Sequence, residues 1–233
     1  KPTIVELKRI NRLIRYVQQH PHGLRYRKLS LPVQVIAVGD SAFQAPSSEA
    51  QAVDPLVMRG YVIGIGHYSD SGYNMQILAY AGGKQNHVCR GVWSAEVHNQ
   101  CDMLDMATTL LGFLEEVKTG PQPAARLKEL RENGGYSTPL DAFTDSGSLY
   151  SYLEADHLKF PSDKGTFFHL AYLRELLSNG VLRDYYWIDT RDMCVDGMTK
   201  GRLDRQVLHE LMAGRWKLCH ESKSILSLIH ISE

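Results

Sequence analysis

The segment that most constrains the fold is a nearly continuous apolar run from Val33 to Val38, which ends at Gly39-Asp40. Its side chains are mostly β-branched, and it lacks the alternation of apolar and polar residues expected of a strand with one solvent-exposed face. Such runs are typical of strands buried on both faces of a sheet. The run therefore predicts a sheet that is flanked by helices.

The rest of the chain supplies further strands and the helices. Strands are predicted at 61–65, 75–80, 140–144 and 185–188, with a loop at 46–58 and a hairpin turn at 69–72. Helices are predicted at 3–19, 94–118, 125–132, 146–155, 163–178 and 203–213. Three consecutive strands indicate an antiparallel meander, and the later strand–helix alternation indicates parallel pairing. The expected fold class is α/β, a ribonuclease-H-like mixed five-stranded sheet flanked by helices, although this order of elements alone does not single that fold out.

Four acidic residues stand where predicted strands or helices begin or end. Asp40 closes the first strand, Glu96 heads the buried stripe of the long helix, Asp145 marks a strand-to-helix junction, and Asp196 precedes the last helix. Acids that converge from different elements can hold two Mg²⁺ ions about 4 Å apart, which clamp the attacking and leaving oxygens of a phosphodiester displacement. The spacing thus permits a two-metal hydrolytic centre.

Each of these acids also has an ordinary structural interpretation. Asp40 could end its strand in a turn, Glu96 could be a favourable charge in a first helical turn, and Asp145 could be a helix N-cap. Asp196 precedes a glycine and competes with two nearby aspartates. Composition and spacing leave these alternatives open.

The charges of the 233-residue chain cancel only on average. It has 26 Lys and Arg against 26 Asp and Glu, yet residues 1–30 carry +7 and the remaining residues carry −7 when histidines are neutral. The basic residues of segment 1–30 could bind the phosphates of a nucleic acid, or they could form the solvated face of a connecting helix. With 43% hydrophobic residues and no net charge, the chain is not disordered as a whole. No apolar run approaches the roughly 20 residues of a membrane span, and the four cysteines form no C-x-x-C pair.

Several short segments occur in the order typical of one family. They are Leu13–Tyr16 with Gly23–Tyr26, Gly39–Phe43, Lys84-Gln85 with Ser94–Glu96, Asp145–Ser148, Leu173–Glu175 with Gly180, and Asp189–Lys200. On these segments, residues 3–215 resemble the C-terminal part of the pol polyprotein of copia-type LTR retrotransposons. That part runs from the end of the reverse transcriptase into its ribonuclease H.

The resemblance implies a set of metal ligands, a reaction and a substrate. The family's D-E-D-D set would be Asp40, Glu96, Asp145 and Asp196, holding two Mg²⁺ ions, with Mn²⁺ as a possible substitute. Asp196 is preferred because it takes the acid of the family's A-D-x-L-T-K motif. Asp40 would bridge the ions, Glu96 and Asp145 would complete one site, and Asp196 would help hold the other. The reaction would be endonucleolytic cleavage of the RNA strand of an RNA–DNA hybrid.

The resemblance also implies a domain organisation. Residues 1–30 would be a basic helical connection from an upstream reverse transcriptase, which would be a partner together with the hybrid. Residues 31–215 would be the ribonuclease-H-like domain. Residues 216–233 are expected to be a disordered tail, partly artefactual because its end resembles translated sequencing adaptor. The chain, which starts without Met, is expected to be a fragment that acts inside the cell, in a cytoplasmic virus-like particle or the nucleus, without a membrane.

Further side chains are candidates for substrate contact or proton transfer. The candidates for nucleic-acid binding are basic, namely Arg12, Arg15, Arg25, Lys84 and Lys200. His169 is a candidate proton shuttle, and its alternative is a histidine packed or paired on its helix.

Two other functions stay open at this stage. Ser146 stands where the family has Asn, a departure that allows a decayed ribonuclease-H-like module that only binds nucleic acid or scaffolds the polymerase. Gly39-Asp-Ser41 also resembles the first block of GDSL esterases, with Ser41 as nucleophile. The D-x-x-H segment that such an esterase needs for its base is absent from the sequence, so this alternative is remote.

Overall fold

In the computed structural model, the described residues are 3–19, 21, 23–44, 56–69, 72–157, 159–200 and 205–225. The strands are β1 Gln34–Gln44, β2 Leu56–Ser69, β3 Gly72–Lys84, β4 Leu140–Thr144, β5 Asp184–Ile188 and β6 Ser222–Ser224. The helices are α1 Ile4–Gln19, α2 Val92–Thr119, α3 Ala124–Asn133, α4 Gly147–Glu154, α5 Phe167–Ser178, α6 Asp196–Thr199 and α7 Gln206–Met212. Single 3₁₀ turns lie at Lys164–Thr166 and Thr190–Asp192.

The strands form one mixed sheet in the order β3-β2-β1-β4-β5-β6. β1, β2 and β3 pair antiparallel as a meander, whereas β1–β4 and β4–β5 are parallel. The predicted mixed α/β class, with its meander and parallel pairs, is confirmed. The predicted number of five strands is wrong, because β6 adds a sixth, antiparallel to β5.

The apolar run of β1 is buried on both faces, as its composition predicts. Val35 and Ala37 pack into the core beneath α2 and α5, while Ile36 and Val38 pack into the core on the opposite face. Side chains alternate along a strand, so Asp40 continues the face of Ile36 and Val38. The strand thereby directs Asp40 away from α2, toward the side on which α6 and α7 lie.

The segment after residue 215 corrects the predicted disordered tail. Trp216 is 1% exposed and exchanges two backbone hydrogen bonds with Tyr73. Its indole packs between Tyr73 and Phe143, with ring centroids 5.4 and 5.0 Å away, and its Nε1 donates to Asp192 O at 2.9 Å. Residues 216–225 therefore belong to the fold, because Trp216 completes the core on that face. Residues 226–233 lie outside the described residues.

The remaining differences concern the ends of elements. β1, β2 and β3 run several residues past their predicted limits, so residues 56–58 of the predicted loop belong to β2. Residues 46–55 of that loop, residues 70–71 of the predicted turn and residues 203–204 of the predicted last helix lie outside the described residues.

The parallel register of β1 and β4 positions the candidate site. Val38 pairs with Phe143, so Asp40 and Asp145 each stand two residues beyond that pair at the same edge of the sheet. Two amides of α2 fasten this end of β1: Asn99 Nδ2 donates to Asp40 O at 2.9 Å, and Gln100 Nε2 donates to Gly39 O at 2.9 Å.

Candidate metal centre

Three aspartates converge at the carboxyl-terminal edge of β1 and β4. Asp40, Asp145 and Asp196 each offer a carboxylate oxygen, and these oxygens lie within 4.8 Å of one another. Asp40 ends the apolar part of β1, Asp145 follows β4, and Asp196 opens α6. Asp40 is 1% exposed and Asp196 is 9% exposed. The three residues could bind a metal ion.

Glu96 lies beside this group but is not among the residues whose oxygens meet that mutual distance. It is 5% exposed, and its Oε1 accepts a hydrogen bond from the Ser41 N–H at 3.2 Å. Its Oε2 is buried without a hydrogen-bond partner. A buried carboxylate oxygen without a partner is costly unless a proton or a cation compensates it. Glu96 therefore leaves an acceptor that a cation would satisfy.

Residues of α6 complete the surroundings of Asp40. Thr199 Oγ1 donates to Asp40 Oδ2, and Lys200 Nζ lies 3.7 Å from the same oxygen and 2.5 Å from Asp196 Oδ1. Gly60 allows this approach, since a Cβ there would lie 2.8 Å from Thr199 Cγ2. On the other side, Thr190 Oγ1 donates to Asp145 Oδ2 at 3.0 Å. Sequence reasoning missed both threonines, because a single hydroxyl leaves no pattern.

The acids disfavour one another's ionised form. Burial, together with the charges of Asp40 and Asp145, raises the pKa of Glu96 well above its ordinary value. Burial and the charge of Asp40 also raise the pKa of Asp145. Burial raises the pKa of Asp196 to about 7, against the opposing hydrogen bond from Lys200. A cation among these groups would offset both the cost of burying the ionised carboxylates and the repulsion between them.

We expect the protein in EDTA to lose stability as the pH rises from about 4 to about 7. The pKa values of Asp145, Glu96 and Asp196 are raised in the folded chain, so it holds more protons than the unfolded chain in this window. Mg²⁺ should oppose the loss increasingly as the ligands deprotonate. Urea unfolding at each pH, with EDTA or Mg²⁺, measures both effects.

Two variants test whether the centre causes this dependence. Asp196→Asn removes one titrating group and should flatten the profile in EDTA. Asp156→Asn changes an exposed aspartate and should leave the profile as in the wild type. A stability that rises between pH 4 and 7 in EDTA, or equal profiles for the two variants, would contradict the expectation.

The two aspartates that compete with Asp196 have other partners. Asp189 caps a 3₁₀ turn and forms an ion pair with Arg191 at 2.8 Å. Asp192 is buried and accepts hydrogen bonds from the backbone N–H groups of Cys219 and His220 at 2.9 and 2.8 Å. The structure thus brings Asp196, and neither of these two, to the group of carboxylates.

The side chains predicted to contact nucleic acid lie in different parts of the structure. Arg12 lines a groove of about 610 Å³ between α1 and α7, together with Arg9, Arg205 and His209. The candidates Arg15, Arg25 and Lys84 have exposed side chains on α1, on the segment after it and at the end of β3. Lys200 lies against the carboxylates instead. Arg205, which sequence reasoning missed, connects the groove to the centre because its Nε donates to Gly197 O at 3.1 Å.

The contacts of His169 are with other histidines. Its ring centroid lies 4.4 Å from that of His98 and 6.5 Å from that of His87. Cys101 Sγ also contacts the His169 carbonyl, at 3.6 Å. This packing between α2 and α5 matches the structural alternative for His169 and lends no support to a role as proton shuttle.

The environment of Ser41 does not resemble that of an activated nucleophile. Its Oγ is buried and donates to the Ala95 carbonyl at 3.1 Å. The hydroxyl proton thus points to a backbone oxygen instead of a histidine base. The esterase alternative gains no support from the described residues.

Comparison with known proteins identifies no family. No protein-family model and no curated protein matches the chain. Solved structures similar to it include the NurA nuclease from Sulfolobus solfataricus, at 12% identity and a TM-score of 0.34, covering 90% of this chain and 65% of NurA. The prototype foamy virus protease–reverse transcriptase matches at 12% identity and a TM-score of 0.26, covering 66% of this chain and 17% of that one. This chain therefore spans less than two thirds of either protein. Within the described residues, no helix has the length and apolar content to cross a bilayer.

Proposed function

We propose that the protein is a metal-dependent endonuclease of the ribonuclease H type, which cleaves the RNA strand of RNA–DNA hybrids. One observation carries the proposal: Asp40, Asp145 and Asp196 converge at one sheet edge, beside the unpartnered buried oxygen of Glu96. Carboxylates from separate elements that meet in this way are what a phosphodiester-cleaving metal centre requires. The resemblance to copia-type pol polyproteins, carried by the sequence motifs, points to the same reaction.

The topology supports a ribonuclease-H-like fold. An antiparallel meander of β1, β2 and β3 is followed by the parallel strands β4 and β5, an order compatible with that fold. The first acid, Asp40, lies on the central β1, and the second, Glu96, is the fifth residue of the helix that follows the meander.

The donor set fits hard divalent cations, Mg²⁺ or Mn²⁺, because it consists of carboxylate oxygens. In this proposal Asp40, Glu96, Asp145 and Asp196 would hold the ions, with Asp40 common to both sites, Glu96 and Asp145 in one and Asp196 in the other. When bound, the ions supply Lewis-acid stabilisation of the attacking and leaving oxygens of the phosphodiester. Asn99 and Gln100 hold the end of β1 by its carbonyls and so keep Asp40 in place.

The substrate would bind along the groove between α1 and α7, whose lining combines arginines with apolar side chains. Arg9, Arg12 and Arg205 line the groove, and Arg205 is linked to the residue after Asp196. Guanidinium groups suit phosphate oxygens in both charge and geometry. The residues after position 30 carry net negative charge, which disfavours binding of a polyanionic hybrid. An upstream reverse transcriptase of the same polyprotein would therefore contribute further binding to the hybrid. We place this activity inside the cell, in a virus-like particle or the nucleus.

Cleavage of an end-labelled RNA–DNA hybrid tests the proposal. The full chain, alone and fused to a matching reverse transcriptase, is incubated with Mg²⁺ or with EDTA. We expect internal cuts in the RNA strand with Mg²⁺, none with EDTA, and none in DNA–DNA duplex of the same sequence. Folded protein that leaves the hybrid intact in both forms would overturn the proposal.

A second candidate is a module that has lost activity and only binds nucleic acid or scaffolds the polymerase. It is favoured by Lys200, whose ammonium pairs with Asp40 and Asp196 and so neutralises part of the centre without a metal ion. In the same assay this candidate would retain the hybrid in a salt-sensitive complex without cutting it.

A further inference from the structure

Among the described residues, Lys200 is the one basic side chain that forms ion pairs within the group of three aspartates, and it pairs with two of them, Asp196 and Asp40. Its Nζ lies 2.5 Å from Asp196 Oδ1 and 3.7 Å from Asp40 Oδ2. The short helix α6 brings the two residues together, because Lys200 follows it directly and its backbone N–H donates to Asp196 O at 2.9 Å. The ammonium therefore occupies the side of the centre that Asp40 and Asp196 share.

A divalent cation on that side would be close to the ammonium. An ion bound to Asp196 Oδ1 at the usual distance of about 2.1 Å would lie at most about 4.6 Å from Nζ. Like charges at this separation repel strongly where water is scarce, and Asp40 and Asp196 are both nearly buried. The ion and the ammonium therefore compete for the same carboxylates.

We propose that Lys200 is a built-in placeholder cation, which a divalent ion must displace before it binds between Asp40 and Asp196. This inference rests on the proposed metal-dependent function. The placeholder reduces the repulsion between the two aspartates when no ion is bound. It also makes the affinity for the ion on this side weaker than that on the side of Glu96 and Asp145.

The side chain can leave the centre without unfolding it. Lys200 is 34% exposed, so solvent already reaches its end. Its flexible four-carbon stem lets the ammonium move outward while the backbone N–H keeps its 2.9 Å bond to Asp196 O. A displaced ammonium would then be available to a substrate phosphate, which connects this role with the nucleic-acid contact predicted from the sequence.

Mn²⁺ titration of the full chain without nucleic acid tests the inference, by calorimetry and by the electron paramagnetic resonance of free Mn²⁺. Lys200→Met removes the charge, and Lys200→Arg retains it. Lys128→Met is the matched control, since Lys128 pairs with Glu132 at the same four-residue spacing on the exposed helix α3. We expect the weaker Mn²⁺ site to tighten at least about tenfold in Lys200→Met. Lys200→Arg and Lys128→Met should stay near the wild type.

A second variant and a second readout keep the test decisive. Lys200→Gln can still donate a hydrogen bond to Asp196, so it should fold if Lys200→Met does not, and it should show the same tightening. In EDTA, thermal unfolding of both uncharged variants should occur at lower temperature than that of Lys128→Met, and Mn²⁺ should remove the difference.

The outcomes separate this inference from the proposed function. Equal Mn²⁺ affinities in the wild type and both uncharged variants would overturn the role of Lys200 alone. Tightening in the variants without hybrid cleavage by the wild type would support Lys200 and overturn the nuclease. Failure of every protein to bind Mn²⁺ would overturn both.

Discussion

Asp40→Asn is expected to lower Mg²⁺-dependent cleavage of an RNA–DNA hybrid by roughly 10³-fold or more, since groups that act as a unit in catalysis show losses of this order. Asp40 lies within the group of carboxylates. It is 1% exposed, its side chain accepts a hydrogen bond from Thr199 Oγ1, and it lies near both Asp145 and Asp196. Asparagine retains the size and one acceptor oxygen but removes the negative charge. The loss should therefore come from weaker metal binding and not from unfolding.

Two measurements separate these causes. Asp40→Asn removes a charge that repels its neighbours, so its stability in EDTA should equal or exceed that of the wild type. Asp189→Asn serves as the control, because Asp189 lies in the segment that leads to Asp196 but pairs with Arg191 instead of joining the carboxylates. The control should cleave within a few-fold of the wild type. Full activity of Asp40→Asn, or an equal loss in both variants, would contradict the assignment.

Trp216→Ala is expected to lower the free energy of unfolding by about 3–5 kcal/mol, the range for a large aromatic side chain removed from a core. The indole is 1% exposed, packs against Tyr73 and Phe143, and donates to the carbonyl of Asp192. Its loss would leave a cavity and an unpaired carbonyl. Urea unfolding followed by circular dichroism measures the change.

Phe168→Ala is the control for this substitution. Phe168 is 77% exposed on α5, so its removal should change the free energy of unfolding by only about 0.5 kcal/mol. Truncation after Arg215 should destabilise at least as much as Trp216→Ala, because it also removes β6 and the bonds from residues 219 and 220 to Asp192. A truncated chain as stable as the full one would restore the domain boundary predicted at residue 215.

The parts of the fold that were predictable depend on repeated side-chain patterns. The run ending at Val38 predicts a strand buried on both faces, and the stripe headed by Glu96 predicts α2 against the sheet. Once β1 and β4 are taken as parallel neighbours, Asp40 and Asp145 must meet at one edge. Periodicity and chain order thus indicate where these two acids lie, whereas their selection as metal ligands comes from the family resemblance.

The parts that were missed depend on single residues. Trp216 and the three residues of β6 are too few to produce a period, and their burial arises from contacts with distant residues such as Tyr73. The same holds for Thr199, which reaches Asp40 only because Gly60 leaves space on the neighbouring strand. The choice of Asp196 depended on the family motif, since its distance from Asp40 is set by the docking of α6.

The four carboxylates come from two halves of the chain, which meet where β1 pairs with β4. Asp40 and Glu96 precede the connection between α2 and α3, whereas Asp145 and Asp196 follow it. Neither half carries more than two of the four carboxylates. A nascent chain that has emerged only as far as α3, or a chain severed in that connection, would lack half of the ligand set. In the proposed function, hydrolysis would therefore require that both halves are present and that the sheet is complete.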